Sequence, residues 1–327
     1  MHHLRTVAKA VVSLGLLGYL IYLAGPEQIL AVFSKIWYDG GIVFIFLAAG
    51  LFLFSLLLLS LRWQLLVSGY GLNISTRQLF KFYLIGLFFN NFLPTGIGGD
   101  VLRIYNLIQE SGNRTISFAS VLTERLLGIS STLLLTIISL IVLYNQIKSH
   151  LLLIIAFAMM FAVILFFYIA FNKRLVDPID TLCQKITIFR LGERIKKFFD
   201  AIRFYSNSKQ IFFKILLVSL LSQIVIILKT FVLSLALGLN LNLGYLFFVV
   251  PITFLLTMLP SINGIGFRDG GYVILLARVG VDKASALSLS FLTLLIPMLI
   301  SIAGAILFML QKKIIREEEV DIVEKSI

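Results

Sequence analysis

The strongest constraint on this chain is a polar, glycine-rich stretch, Asn90-Asn91-Phe92-Leu93-Pro94-Thr95-Gly96-Ile97-Gly98-Gly99-Asp100-Val101-Leu102-Arg103, set between two apolar runs too short to cross a bilayer. The runs, 79–93 and 101–110, amount to roughly 22 and 15 Å of helix against a hydrocarbon core near 30 Å. Neither can span alone, so together they predict a re-entrant helical hairpin. Leu259-Pro260-Ser261-Ile262-Asn263-Gly264-Ile265-Gly266-Phe267-Arg268-Asp269 repeats the order Leu-Pro-hydroxyl, then Gly-Ile-Gly, then a charge. The register persists beyond the glycines. Gly98 precedes Gly112 by the interval that separates Gly266 from Gly280, and Ser117 and Ser120 are answered by Ser285 and Ser288. A duplicated hairpin is expected of a transporter built from two related halves, with the two tips lining one site.

The remaining chain is apolar enough to live in lipid. Of 327 residues, 59% are hydrophobic and 13% charged, with a mean hydropathy of +1.02, against roughly half apolar content in soluble chains. The fold class predicted is an all-α polytopic membrane protein with about six full transmembrane helices and two re-entrant hairpins in an inverted repeat. Full spans are expected at 7–24, 42–61, 116–143, 151–171, 211–237 and 284–310. The first is read as a retained anchor, because Tyr22-Leu23-Ala24 makes a poor cleavage site, and the second as closing at an interface with Arg62 and Trp63. The domain reading is a single integral membrane domain over 1–327. It comprises a first repeat at 42–171 (hairpin 79–110), a basic amphipathic cytoplasmic segment at 172–210, a second repeat at 211–310 (hairpin 245–279) and a cytoplasmic tail at 311–327.

The net charge of +12 could point to nucleic acid, but in a membrane protein it reports a bias of Lys and Arg towards the cytoplasm. With both termini cytoplasmic, only Lys35, Lys148 and Lys283 of the 28 Lys and Arg residues fall in external segments. That topology places an odd number of full spans between the hairpins, so one enters from each side, as alternating access requires. A multi-pass protein of the cell membrane is expected, with membrane lipids as partners and no nucleic acid. A homo-oligomer is compatible with the sequence. Neither cofactor nor metal is expected: Cys183 is the single cysteine, and His2, His3 and His150 lack ligand spacing.

Pro94 and Pro260 end apolar helices, and Gly96, Gly98, Gly99, Gly264 and Gly266 shape the turns that follow. Turns at membrane depth leave backbone groups unpaired, so such turns are expected beside protein or a watered cavity. A dinucleotide or phosphate loop is the competing reading of Gly96-Ile97-Gly98-Gly99, but the spacing is wrong and no strand precedes it. Asp100 and Asp269 sit where a returning half-helix begins, and capping is their bland reading. Arg103 lies one turn after Asp100 and can pair with it. Arg268 takes the register position of Asp100 with opposite sign. Glu124 and Arg125 lie well inside a span, where charge is costly enough to make function the default, although Arg125 could snorkel. Lys229 is read as snorkelling to the outer interface. Asn90, Asn91, Thr95, Ser261 and Asn263 add neutral donors and acceptors at the same tips. Amides, hydroxyls and arginines suit the headgroup of an anionic phospholipid or a lipid-linked sugar. An integral-membrane enzyme or accessory subunit acting on a lipid-linked saccharide, with Asp100, Glu124 or Asp269 as acid or base, stays open.

The motifs Asn-Asn-Phe-Leu-Pro-Thr-Gly-Ile-Gly-Gly-Asp-x-x-Arg and Leu-Pro-Ser-x-x-Gly-Ile-Gly-x-Arg-Asp-Gly resemble those of the flippase-like transmembrane domain of lysylphosphatidylglycerol synthases. The resemblance covers essentially the whole chain. It implies a non-enzymatic lipid flippase, moving an aminoacylated phospholipid or related glycolipid between leaflets. Residue by residue it carries over Asn91, Pro94, Gly98, Gly99, Asp100, Arg103, Glu124, Arg125, Gly266, Arg268 and Asp269. The bifunctional synthases continue into a soluble aminoacyl-transferase domain that has no counterpart in this sequence, so synthase activity is not expected.

Overall fold

A computed structural model describes residues 15–38, 40–92, 98–144, 150–171, 209–259, 261 and 264–325. Among the described residues the regular structure is all helical. The helices are α1 (Gly15–Ala24), α2 (Pro26–Tyr38), α3 (Ile42–Gly69), α4 (Thr76–Phe92), α5 (Gly98–Ser111), α6 (Arg114–Val142), α7 (His150–Phe171), α8 (Lys209–Ala236), α9 (Leu243–Leu256), α10 (Phe267–Ala277) and α11 (Lys283–Lys325). Side chains fix several starts by accepting from otherwise orphaned backbone N–H groups. Asn113 accepts from Ile116 N at 3.1 Å, Asn242 from Gly244 N at 2.8 Å and Asp282 from Ser285 N at 2.9 Å.

Among the described residues four helices, α3, α6, α8 and α11, are long and apolar enough to cross a membrane, and a fifth span is added if α1 and α2 count as one bent pair. The expected span at 151–171 forms α7, of 22 residues. The expected anchor at 7–24, described from Gly15 onward, does not end in a simple connection. It bends by 74° at Gly25 into α2, a helix the sequence pattern did not reveal. Pro26 cannot donate the hydrogen bond that would continue α1, but it suits the first turn of a new helix. The basic segment at 172–208 lies outside the described residues.

Large apolar side chains such as Phe46, Leu53, Phe54, Ile138, Val142, Leu299, Ile306 and Met309 are exposed along these helices. In water that surface would aggregate, whereas in lipid it is the required outer face. The interior is finely cut instead: Ser120, Ser131, Ser219, Ser222, Ser234, Ser288 and Ser301 are fully buried. Small residues let membrane helices approach closely, and their hydroxyls bond to their own helix, as Ser131 Oγ does to Leu127 O at 2.9 Å.

The most extensive helix pair is α3 with α8, at the centre. Around it the principal contacts correspond two by two when α2 to α6 are matched in order with α7 to α11. The contact of α4 with α11 is answered by α9 with α6, that of α5 with α6 by α10 with α11, and that of α2 with α11 by α7 with α6. Each hairpin's first arm therefore packs on the closing span of the other half. In this matching α7 groups with the second half and α2 with the first, unlike the expected repeat boundaries at 42–171 and 211–310.

Candidate functional site

The first hairpin closes tightly. A Cβ at Gly99 would collide with the backbone carbonyl of Gly86, so only glycine admits the approach of α5 to α4. Asn90 at the end of α4 accepts from Gly99 N at 2.9 Å, and Gly98 and Gly99 are buried in the first turn of α5. This geometry delivers Asp100 and Arg103 into the protein rather than into lipid; both are buried.

There they meet charges from two other helices and a tyrosine hydroxyl from a third. Glu124 of α6, 1% exposed, accepts from Arg62 of α3, Tyr83 of α4 and Arg103 of α5. Arg103 also bonds Asp100 at 3.3 Å, and Asp100 pairs with Arg125, whose side chain is 42% exposed. The guanidinium of Arg103 lies 4.2 Å from the Trp63 ring centroid and 3.8 Å from that of Tyr83, a cation–π clamp. Trp63 is itself held by a 3.2 Å bond from its indole N–H to Ser120 Oγ. Glu124 and Arg125, about 100° apart on the helix, join one network by facing different partners. Three arginines and two carboxylates leave one positive charge in excess, with Arg125 at the open end.

The second hairpin builds a separate cluster. Gly266, at φ +88°, turns the chain into α10 through a backbone conformation that side chains disfavour. Asp269 then accepts from Gly266 N at 2.9 Å, so for this acid the capping reading holds. Its other oxygen accepts from Arg268 Nη2 at 2.7 Å and from Ser290 Oγ of α11. Arg268 Nε adds a 3.3 Å bond to Ser290. Ser261 is buried and donates to Leu259 O at 3.2 Å, and Gly264 lies in the turn leading to α10. Asn91 is half-buried at the end of α4. Pro94, Thr95, Gly96, Pro260 and Asn263 lie outside the described residues.

The expectation that both tips line one site falls largely on residues outside the described ones; among the described residues Asp100 and Arg103 join one cluster and Arg268 and Asp269 another. Arg62 reaches Ser219 Oγ of α8 at 3.3 Å, whereas the second cluster finds its partner outside the hairpin in Ser290 of α11. Each hairpin packs on full-length helices, and the principal helix contacts include none between the hairpins. Charges that find partners on neighbouring spans have no need of the opposite tip.

With this geometry in place, comparison with known proteins is decisive. Residues 6–304 match the family described as the lysylphosphatidylglycerol synthase TM region. The chain belongs to this family. It is 25% identical to a UPF0104 membrane protein of Pyrococcus horikoshii over 93% of this chain and 97% of that one. It is 24% identical to a UPF0104 membrane protein of Methanothermobacter thermautotrophicus, over 84% and 86%. A multi-pass membrane protein is common to family and structure.

Membership does not single out every residue in the two clusters. Arg62 and Trp63, expected at an interface, are 4% and 0% exposed because α3 runs on to Gly69 and carries them inside. The signal was present: Leu65, Leu66 and Val67 continue the apolar pattern past the charge. Lys229, expected to snorkel, is 5% exposed, its Nζ lying 5.5 Å from the Phe52 ring. Tyr83 gave no signal, since an aromatic residue in an apolar arm reads as packing.

Proposed function

We propose that this protein translocates an anionic or aminoacylated phospholipid, or a lipid-linked sugar, between the leaflets of the cell membrane without changing it chemically. The observation that carries this reading is the buried chain Arg62–Glu124–Arg103–Asp100–Arg125, one positive charge in excess, opening at Arg125. Paired charges buried among membrane spans are costly to assemble and carry little net stability, which makes them poor packing devices and good ligand devices. Arg125 can exchange Asp100 for a headgroup phosphate while its stem and the acyl tails stay in apolar surroundings. The family adds a link to lipid through its name, which concerns an aminoacylated phospholipid. The matched helix contacts support two related halves; in this reading they are inverted, with both termini in the cytoplasm, and exchange inward-open and outward-open roles.

The test is reconstitution into liposomes holding a trace of fluorescent phosphatidylglycerol. Protein should expose the inner-leaflet probe to an impermeant quencher while mass spectrometry finds the lipid unaltered. A covalently changed lipid would instead establish the enzymatic alternative.

A further inference from the structure

Helix α11 turns one stripe of residues towards the first hairpin. A Cβ at Gly304 would strike the backbone carbonyl of Leu84, so the missing side chain lets α11 cross α4 closely. Phe308 follows one turn later, its ring centroid 5.1 Å from that of Phe89 in an edge-on contact. Gln311 continues the stripe at helical spacing and donates from Nε2 to Asn106 Oδ1 of α5 at 3.4 Å. Asn106 ends a stripe of its own, since Asp100, Arg103 and Asn106 recur at intervals of three along the buried face of α5.

The contact between the two amides is incomplete. Asn106 is 2% exposed, and its Nδ2 is buried with no hydrogen-bond partner among the described residues. Turning both amides over would leave Asn106 Oδ1 unpaired instead, so one polar atom is left over in either orientation. One turn back on the same face, Arg103 Nε is a second buried donor without a partner among the described residues. The principal helix contacts include none between α5 and α11, so the amide pair bridges a seam rather than sitting inside a packed interface. Gln311, half-buried, stands at the edge of that seam. Two leucines would close it at no polar cost, whereas a buried amide left unpaired is destabilising.

We propose that Asn106 and Gln311 read a hydroxyl of the lipid headgroup, at the end of the arginine chain that takes its phosphate. A hydroxyl both donates and accepts, so it completes a primary amide whichever of the amide's atoms is left over. Asp100, where the phosphate enters, lies about 9 Å of helix from Asn106. A phosphate carrying a glycerol or a sugar, held at both ends by hydrogen-bonding side chains, covers that distance. The subsite rests on the translocation reading for its ligand, and it adds a preference for headgroups that carry hydroxyls over anionic headgroups that carry none.

The test uses the full chain purified in neutral detergent, with thermal unfolding followed during titration by two short-chain lipids. Phosphatidylglycerol and phosphatidylmethanol of equal acyl length share the anionic phosphodiester, and only the first carries headgroup hydroxyls. In wild type, half of the maximal stabilisation should need at least tenfold less phosphatidylglycerol than phosphatidylmethanol. Asn106→Leu and Gln311→Leu should each bring the two lipids to within threefold of one another. A purely structural role for the amides would shift both titrations alike and leave their ratio standing. Gln311 is only half-buried, so Gln311→Leu keeps the test open should Asn106→Leu fail to fold. Parity in wild type with both lipids bound, or a preference that survives in the variants, would overturn the subsite and leave headgroup binding intact. No response to either lipid would overturn both. The expected preference, with no movement of either lipid in liposomes, would sink only the translocation reading.

Discussion

Glu124 is the keystone of the first network, and its loss has a calculable signature. The carboxylate is 1% exposed and accepts from Arg62, Tyr83 and Arg103. Glu124→Leu leaves Arg62 buried without an acid, while Arg103 keeps Asp100 and its aromatic clamp. Removing one partner of a buried ion pair costs about 3–5 kcal/mol. Two arginines are affected here but one retains an acid, so we expect about 4 kcal/mol. At roughly 2–4 °C per kcal/mol for a chain of a few hundred residues, the melting temperature should fall by about 10 °C. Unfolding in detergent micelles followed by tryptophan fluorescence is a direct assay, since Trp63 lies against Arg103. The control is Arg62→Met with Glu124→Leu. Replacing both charges by apolar groups should recover most of the loss, because apolar substitutes for a buried pair are often neutral or better. A double variant as unstable as Glu124→Leu alone would show that the loss comes from packing and refute the electrostatic reading.

Gly99→Ala should destabilise the first hairpin by about 1–3 kcal/mol as an overpacked contact with the Gly86 carbonyl, and an unshifted thermal midpoint would contradict that close approach. Asp282 caps α11. Its partial burial pushes the carboxyl up, but hydrogen bonds from Ser285 and from nearby backbone N–H groups outweigh this and hold it below the ordinary carboxylate range. A depressed value in the folded protein contributes stability above the unfolded value and loses it as pH falls through the folded one. Asp282→Ala should therefore cost about 1 kcal/mol near neutrality and nothing once the pH is well below about 4, as melting curves at both pH values would report. In a background lacking Cys183, a cysteine at Asp282 should react with an impermeant maleimide in intact cells and one at Arg190 only after lysis; the reverse pattern would invert the topology.

Much of the fold was legible because the constraints are local. An apolar run too short to span, ended by proline and glycine, fixes a hairpin whatever surrounds it, and the interval from Gly98 to Gly266 revealed the duplication. Asp100, Arg103 and Glu124 were readable as a group because charge inside a span demands a partner. The neighbours of that group were harder to see. Arg62 looked like the end of a span because a charge after a run of leucines usually is one. Lys229 looked like a snorkelling side chain for the same reason, and its burial depends on which face α8 turns to α3. That lateral arrangement leaves no mark in helical periodicity, so one shared site could not be told from two clusters. Helix α2 escaped because its apolar residues follow a bend at Gly25 instead of extending the first run.

The central claim is that the buried arginine chain handles a lipid headgroup. It is tested most directly by the initial rate at which inner-leaflet fluorescent phosphatidylglycerol becomes quenchable in liposomes carrying Arg125→Gln, compared with wild type. Arg125 is the open end of the network, so this variant should keep a melting temperature close to wild type while the protein-dependent rate falls at least tenfold. A rate equal to that of wild type, in a folded variant reconstituted at the same density, would contradict the account.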